Sequence, residues 1–244
     1  SSANCPATVA SMALNTGFTG TVTLGKALTD SGAFTLQAGT FDVSASNYGL
    51  TVQGDFTNSG GTFTERSGTV TFSGGTAKAV DVNNGAETFS GLTINKGNAI
   101  DLTVAASDTL TVTGTLTLTN GDLMQATIPA TGTIAAQGNI TANSGFDTGH
   151  TSRIEITGSA NQTFTGGGST SAGGVPEIEI DKSGGTLTLS SIIRFNNANG
   201  TYWTYTAGTV DATTNDSTVV WAGSGSEILD GQGTSATMAF DNFQ

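Results

Sequence analysis

The chain is poor in the residues that build stapled domains, metal centres and nucleic-acid-binding surfaces. It has one cysteine, Cys5, in 244 residues. That count excludes an intramolecular disulfide framework, so Cys5 is a candidate only for an intermolecular disulfide. It has one histidine, His150. A zinc site takes three or four His, Cys or carboxylate ligands, and one His with one distant Cys does not supply them. A Ser-His-Asp triad would have to use His150, which sits in the turn-like stretch Asp147-Thr148-Gly149-His150-Thr151. Basic residues are scarce: 7 Lys+Arg stand against 19 Asp+Glu, for a net charge of −12. Such a surface repels nucleic-acid phosphates and anionic lipid heads. No run of about 20 apolar residues is available to cross a membrane, and no apolar stretch of a signal peptide precedes Cys5. If the chain is exported, Ser1 is a processed terminus. Helical periodicity is also missing. No window keeps apolar residues at i, i+3, i+4 and i+7 over three turns.

What remains is a strand-and-turn composition. There are 35 glycines, only 3 prolines, and 36% hydrophobic residues. Disorder goes with fewer apolar residues and denser charge. Collagen needs glycine at every third position, and that period is absent. Short segments such as Thr21-Val22-Thr23-Leu24, Leu50-Thr51-Val52, Leu110-Thr111-Val112 and Leu187-Thr188-Leu189 alternate apolar with Thr. This is the period-2 pattern of a strand with one buried face.

The segments also repeat. Thr69-Val70-Thr71-Phe72-Ser73-Gly74 is followed by Leu92-Thr93-Ile94-Asn95-Lys96. Arg153-Ile154-Glu155-Ile156-Thr157-Gly158 is followed by Ile178-Glu179-Ile180-Asp181-Lys182, and Thr218-Val219-Val220-Trp221 by Met238-Ala239-Phe240-Asp241. These windows suggest a superrepeat anchored at Phe72, Ile156 and Trp221, each paired with Ile94, Ile180 and Phe240. A β-sandwich has one core and no internal period, whereas stacked coils repeat. The reading is therefore all-β: an elongated β-solenoid, or parallel β-helix, of about a dozen coils at roughly 20 residues each. Residues 1–20 are assigned to a cap or linking segment. Residues 21–244 form one repetitive domain, with superrepeat anchors near 54–97, 138–184 and 203–244. The stretch Met238–Gln244 reads as the start of another strand, which points to self-association or to neighbouring repeats as partners.

The stretches Phe56-Thr57-Asn58-Ser59-Gly60-Gly61-Thr62-Phe63, Leu92-Thr93-Ile94-Asn95-Lys96 and Ile180-Asp181-Lys182-Ser183-Gly184-Gly185-Thr186-Leu187 resemble repeats of large bacterial cell-surface β-solenoid proteins. These are of the haemagglutinin, autotransporter-passenger and adhesin type. The resemblance covers roughly residues 30–244. It implies an exported, extended chain that serves as a stalk, filament, surface layer or adhesin. It also implies repeats without catalytic residues.

Several groups are candidate sites. Glu177 and Glu179 alternate with Ile178 and Ile180, so both point outward. Leu229-Asp230-Gly231-Gln232-Gly233 is similar to a stretch of pectin-degrading β-helices, but that family's other acidic and histidine motifs are absent. Asp81-Val82-Asn83-Asn84-Gly85 and Thr214-Asn215-Asp216 could offer oxygens to structural calcium. Both also read as turns, and no cofactor is expected. Threonine ladders order water on some solenoids. Here the sequence spacing of Thr-x-Thr pairs drifts and charged residues interrupt it, so strand propensity accounts for the threonines. Aromatics cluster late. Trp221 and Tyr205 align with core positions, while Tyr202 and Trp203 do not, and one of these two is expected at the surface as a contact for glycans or a partner.

The expectation is a non-enzymatic extracellular structural protein of a microbial surface. A carbohydrate-binding adhesin and a polysaccharide-active enzyme are the alternatives.

Overall fold

The computed structural model describes residues 6–83, 85–125, 132–148, 153–196, 200–223, 227–231, 237–238 and 240–244. Among these residues every named element is a strand. The chain winds as a parallel β-solenoid of about nine turns. The dozen expected from the sequence is too many because most coils are longer than 20 residues. Equivalent positions lie 22 residues apart between Thr71 and Thr93, 24 between Thr93 and Thr117, and 25 between Thr165 and Ser190.

Each coil contributes strands to three faces. The first face stacks Thr8–Val9, Leu28–Asp30, Leu50–Val52, Thr69–Gly74 and Gly91–Lys96. It continues through the starts of Leu116–Gln125 and Ile140–Thr148, then Gln162–Thr165 and the end of Glu177–Ser190. The second face stacks Met12–Leu14, Phe34–Leu36, Phe56–Asn58, Lys78–Asp81 and Asp101–Val104, and later Ile192–Phe195, Thr218–Trp221 and Asn242–Phe243. The third begins with Thr21–Thr23, Thr40–Asp42 and Thr62–Thr64. It runs on through Ala86–Phe89, Thr109–Val112, Thr133–Ala136, Arg153–Ile156, the start of Glu177–Ser190, and Gly200–Asp211. Residues 6–14 thus pair directly into the first two faces.

Alternation decides what fills the interior. Leu28, Leu50, Val70, Leu92, Leu116, Ile140, Phe164 and Leu189 form one buried column on the first face. Leu110, Ile134, Ile154 and Ile178 form another on the third, which ends on Trp203. Where the three faces meet in the early coils, phenylalanines pack together. The rings of Phe34 and Phe56 stack 5.1 Å apart, and Phe72 and Phe89 approach Phe56 edge-on at 5.9 and 6.0 Å. Such pairs add to the burial of each ring.

Corners need special residues. Gly138 lies so close to the coil below that a Cβ would stand 1.9 Å from the Gly114 carbonyl oxygen, so only glycine fits. Gly121 and Gly208 adopt left-handed φ of 97° and 115°, each directly over the side-chain stem of a buried lysine, Lys96 or Lys182. The two lysines follow the inward phase of their strands, and their ammonium groups meet turn carbonyls. Lys96 Nζ donates to Ser73 O at 2.6 Å; Lys182 Nζ donates to Ala160 O at 3.0 Å and to Gln162 Oε1.

The superrepeat does not survive as a spatial period. Phe72 sits on the first face, Ile156 on the third and Trp221 on the second. Phe72 does stack on Ile94, and Ile156 on Ile180. The third pair fails: the strand of Trp221 pairs with Asn242–Phe243, while Phe240 packs against Trp203 at 5.2 Å. The similar windows reflect the common chemistry of a strand that ends at a glycine corner.

Two substitutions test the packing. Phe56→Ala should cost about 3–5 kcal/mol, as a buried ring lost from a close-packed core does. Gly138→Ala should cost about 1–3 kcal/mol through forced backbone displacement. Urea unfolding followed by circular dichroism checks both. A midpoint unchanged by Gly138→Ala would refute the close approach of the two corners.

Candidate functional surface

Tyr202 and Trp203 are both buried, with relative exposures of 2% and 0%. The expected surface aromatic is therefore not there, and the reason is a β-bulge. The register between Gly200–Asp211 and Glu227–Gly231 shifts between Thr201 and Trp203, which makes Tyr202 the extra residue. A bulge breaks strict alternation, so two consecutive side chains turn inward. Tyr202 lies 6.1 Å from the Phe195 ring, and Trp203 Nε1 donates to Met238 Sδ at 3.2 Å. Tyr205 is in the core as expected, and Trp221 packs partly buried against Phe195 at 5.0 Å. Cys5, His150, Asn84 and the Gln232-Gly233 dipeptide lie outside the described residues.

The third face carries the charged strands. Arg153 is in register with Glu177, and Glu155 with Glu179. All four are half-buried on the outer surface, and Arg153 pairs diagonally with Glu179. Partial burial, then the neighbouring Glu179, pushes the Glu155 carboxyl up. Burial raises Glu177 as well, against the pull of Arg153. These acids lie side by side on one surface rather than across a groove.

The turn acids are occupied by their own turns. Asp81 accepts from the Asn83 N–H at 2.9 Å. Asp211 accepts from the N–H groups of Thr213 and Thr214, both at 3.0 Å, and from their hydroxyls. Those bonds, the Thr214 hydroxyl's above all, hold Asp211 down at about 2. Among the described residues no group of three or more His, Cys, Asp or Glu side chains is placed to hold a metal ion.

Sequence reasoning missed the buried acids. Glu87 is two residues before Phe89 on one strand, so the period-2 rule places it inward, in register with Leu110. Asn58 Nδ2 donates to it at 2.5 Å and the Thr88 N–H at 3.2 Å. Burial nonetheless raises its pKa. Asp30 follows Leu28 in the same way, is fully buried, and accepts from the Met12 and Gly32 N–H groups at 2.9 and 3.1 Å. Burial again raises its pKa.

The first face is different from the other two. Its outward central position is threonine in coil after coil: Thr8, Thr29, Thr51, Thr71, Thr93, Thr117, Thr141 and Thr165 stand in register, and Ser190 follows. The expectation of a drifting spacing is overturned here. The drift is real along the sequence, but the turns absorb it and the ladder registers the strands. A flanking column two residues upstream holds Thr69 and Gly91, then Thr115 and Asn139, then Thr163 and Thr188. No charged or aromatic residue occurs among these positions. Between Thr69 and Thr115, with Gly91 as floor, lies a shallow trough of about 250 Å³ that Thr93 and Thr117 also line. A hollow of about 460 Å³ lies elsewhere, against Met12, Leu14, Phe18 and Val22 of the first coil.

Comparison with family models, with curated proteins and with solved structures finds no match to this chain.

Glu87 yields a pH test. Its folded pKa is raised, so its contribution to stability is fully present below the ordinary glutamate value of about 4.3. That contribution is lost as pH rises through the folded value. Glu87→Gln mimics the protonated acid. Its thermal midpoint should match that of the parent chain near pH 4 and exceed it at pH 7. An equal gap at both pH values would show that Glu87 does not titrate differently in the folded state.

Proposed function

We propose that the chain is a non-enzymatic structural element of a microbial cell surface, a segment of a stalk, fibre or surface layer. The observation that carries this reading is the continuous in-register stack. Its interior is filled by Leu, Ile, Val and Phe columns, and its outer surface is made of strand faces. The outward acids support the same reading. Glycoside hydrolysis needs two carboxyls facing each other across a substrate, whereas Glu155, Glu177 and Glu179 lie along one face with Arg153. The bacterial surface repeats that the sequence resembles suggest the setting, an extracellular one. The adhesin reading rested on exposed Tyr202 or Trp203, and their burial removes the contact it was built on.

Further coils, from a second copy or from neighbouring repeats, are the natural partners. Among the described residues the large exposed apolar side chains are Phe18, at 39%, and Leu229 and Phe243, at 40% and 57%. They sit in the outermost described coils, where an added coil would cover them. A solenoid coil buries its apolar face only against a neighbour.

Negative-stain microscopy with analytical ultracentrifugation tests the proposal. The purified chain should form rods that lengthen with concentration. Particles that remain single short rods at every concentration, together with hydrolysis of a polysaccharide panel, would replace this reading with the enzymatic one.

A further inference from the structure

We propose that the first face is an ice-binding surface, a planar array that holds a layer of crystalline water through its threonine column. The inference is independent of the structural role above and rests on three observations.

The first is register. Eight threonines and a serine occupy one outward position in successive strands, without a break from Thr8 to Ser190. Parallel pairing fixes their spacing at about 4.8 Å along the stack. The flanking Thr69, Thr115, Thr163 and Thr188 stand two residues away, about 6.6 Å across the strand, with Gly91 and Asn139 interposed in the coils between them. The stacking distance is near the short repeat of hexagonal ice. The register shift after Ile94 falls beyond Thr93 and leaves the column in phase.

The second is neutrality. The chain carries a net charge of −12, yet no outward position of these two columns between Thr29 and Ser190 is charged. Charged groups hold their water strongly and orient it around the charge instead of on a lattice. A hydroxyl with a methyl beside it instead anchors one water and confines the next. Thr69, Gly91, Thr93, Thr115 and Thr117 shape a trough of about 250 Å³, with room for several waters at about 30 Å³ each in the liquid.

The third is composition. Protein interfaces concentrate aromatics, Met and Arg at their core, and sugar-binding faces stack the sugar on aromatic rings. This face presents neither. A column that repeats a single residue type at one spacing gives a partner chain little to distinguish, but it is complementary to a lattice.

The experiment freezes the purified chain slowly from dilute solution and measures its partition into the ice. Thermal hysteresis is measured in parallel. The intact chain should be enriched in ice several-fold over a globular reference protein of similar net charge, and it should facet growing crystals. The double variant Thr93→Tyr/Thr117→Tyr, which breaks the middle of the array, should fall to the reference level with its circular dichroism unchanged. Thr111→Tyr on the third face should partition like the parent chain. An intact chain that partitions no better than the reference overturns the proposal, whether or not the double variant folds. So does an unchanged partition in the folded double variant. A chain that dimerises in the ultracentrifuge, with the dimer lost in the double variant, also overturns it and makes the face a contact between copies.

Discussion

Everything in this molecule depends on the parallel ladder between coils. Each strand donates and accepts along its length, so a residue's neighbours above and below are fixed by register and not by distance along the chain. Coil lengths of 20 residues, from Thr51 to Thr71, and 25, from Thr165 to Ser190, still bring threonine over threonine or serine. The turns take up the difference. A single sequence choice is thereby multiplied into a column, apolar inside and polar outside, and a single misfit residue is felt by the coil on each side.

The ladder also explains where polar groups end up buried. An inward phase carries past the last apolar residue of a strand, and whatever comes next is drawn toward the interior. Lys96 follows Ile94 and Lys182 follows Ile180, and both reach turn carbonyls of the previous coil. Glu87 precedes Phe89 and is held by Asn58. Buried polar groups are tolerated when hydrogen-bonded. Corner backbone supplies acceptors for lysines, while strand starts and turns supply N–H donors for acids such as Asp30 and Asp108. Desolvation still outweighs these bonds at Asp30 and Glu87, whose pKa values rise.

The fold was legible because its signal is local and repeated many times. Leu50-Thr51-Val52 and Leu110-Thr111-Val112 each state which face is inward, and among the described residues every element is a strand. Face assignment was not legible. Phe72, Ile156 and Trp221 sit in similar windows but on different faces, since a strand-Gly motif says nothing of which side of the coil it occupies. Tyr202 and Trp203 were misread for a related reason. Alternation predicts one of two neighbours outside, and a bulge that no residue type announces sends both inside. The threonine column was hidden by variable turn lengths. Aligning the Leu-Thr-Val triplets to one another instead of counting residues between them would have exposed it.

Stacking also constrains what an outward column can be. Like charges directly opposite in a sheet are destabilising; at Glu155, burial first and then the in-register Glu179 push the carboxyl toward protonation. An outer column of eight coils therefore has to be mostly neutral, and neutrality on its own calls for no ligand. It does not, however, dictate threonine. The adjacent flanking column is just as neutral and varies freely among Thr69, Gly91, Thr115, Asn139 and Thr163. The flanking column straddles the strand starts: Thr69, Gly91 and Thr163 belong to their strands, while Thr115 and Asn139 immediately precede theirs, so β-propensity acts more fully on the central column. What separates them is that one column holds a single side chain from Thr8 to Thr165 while its neighbour does not. Strand propensity therefore contributes to the threonine column, and the column that results, identical groups at constant spacing, offers the same contact repeatedly only to something that is itself periodic.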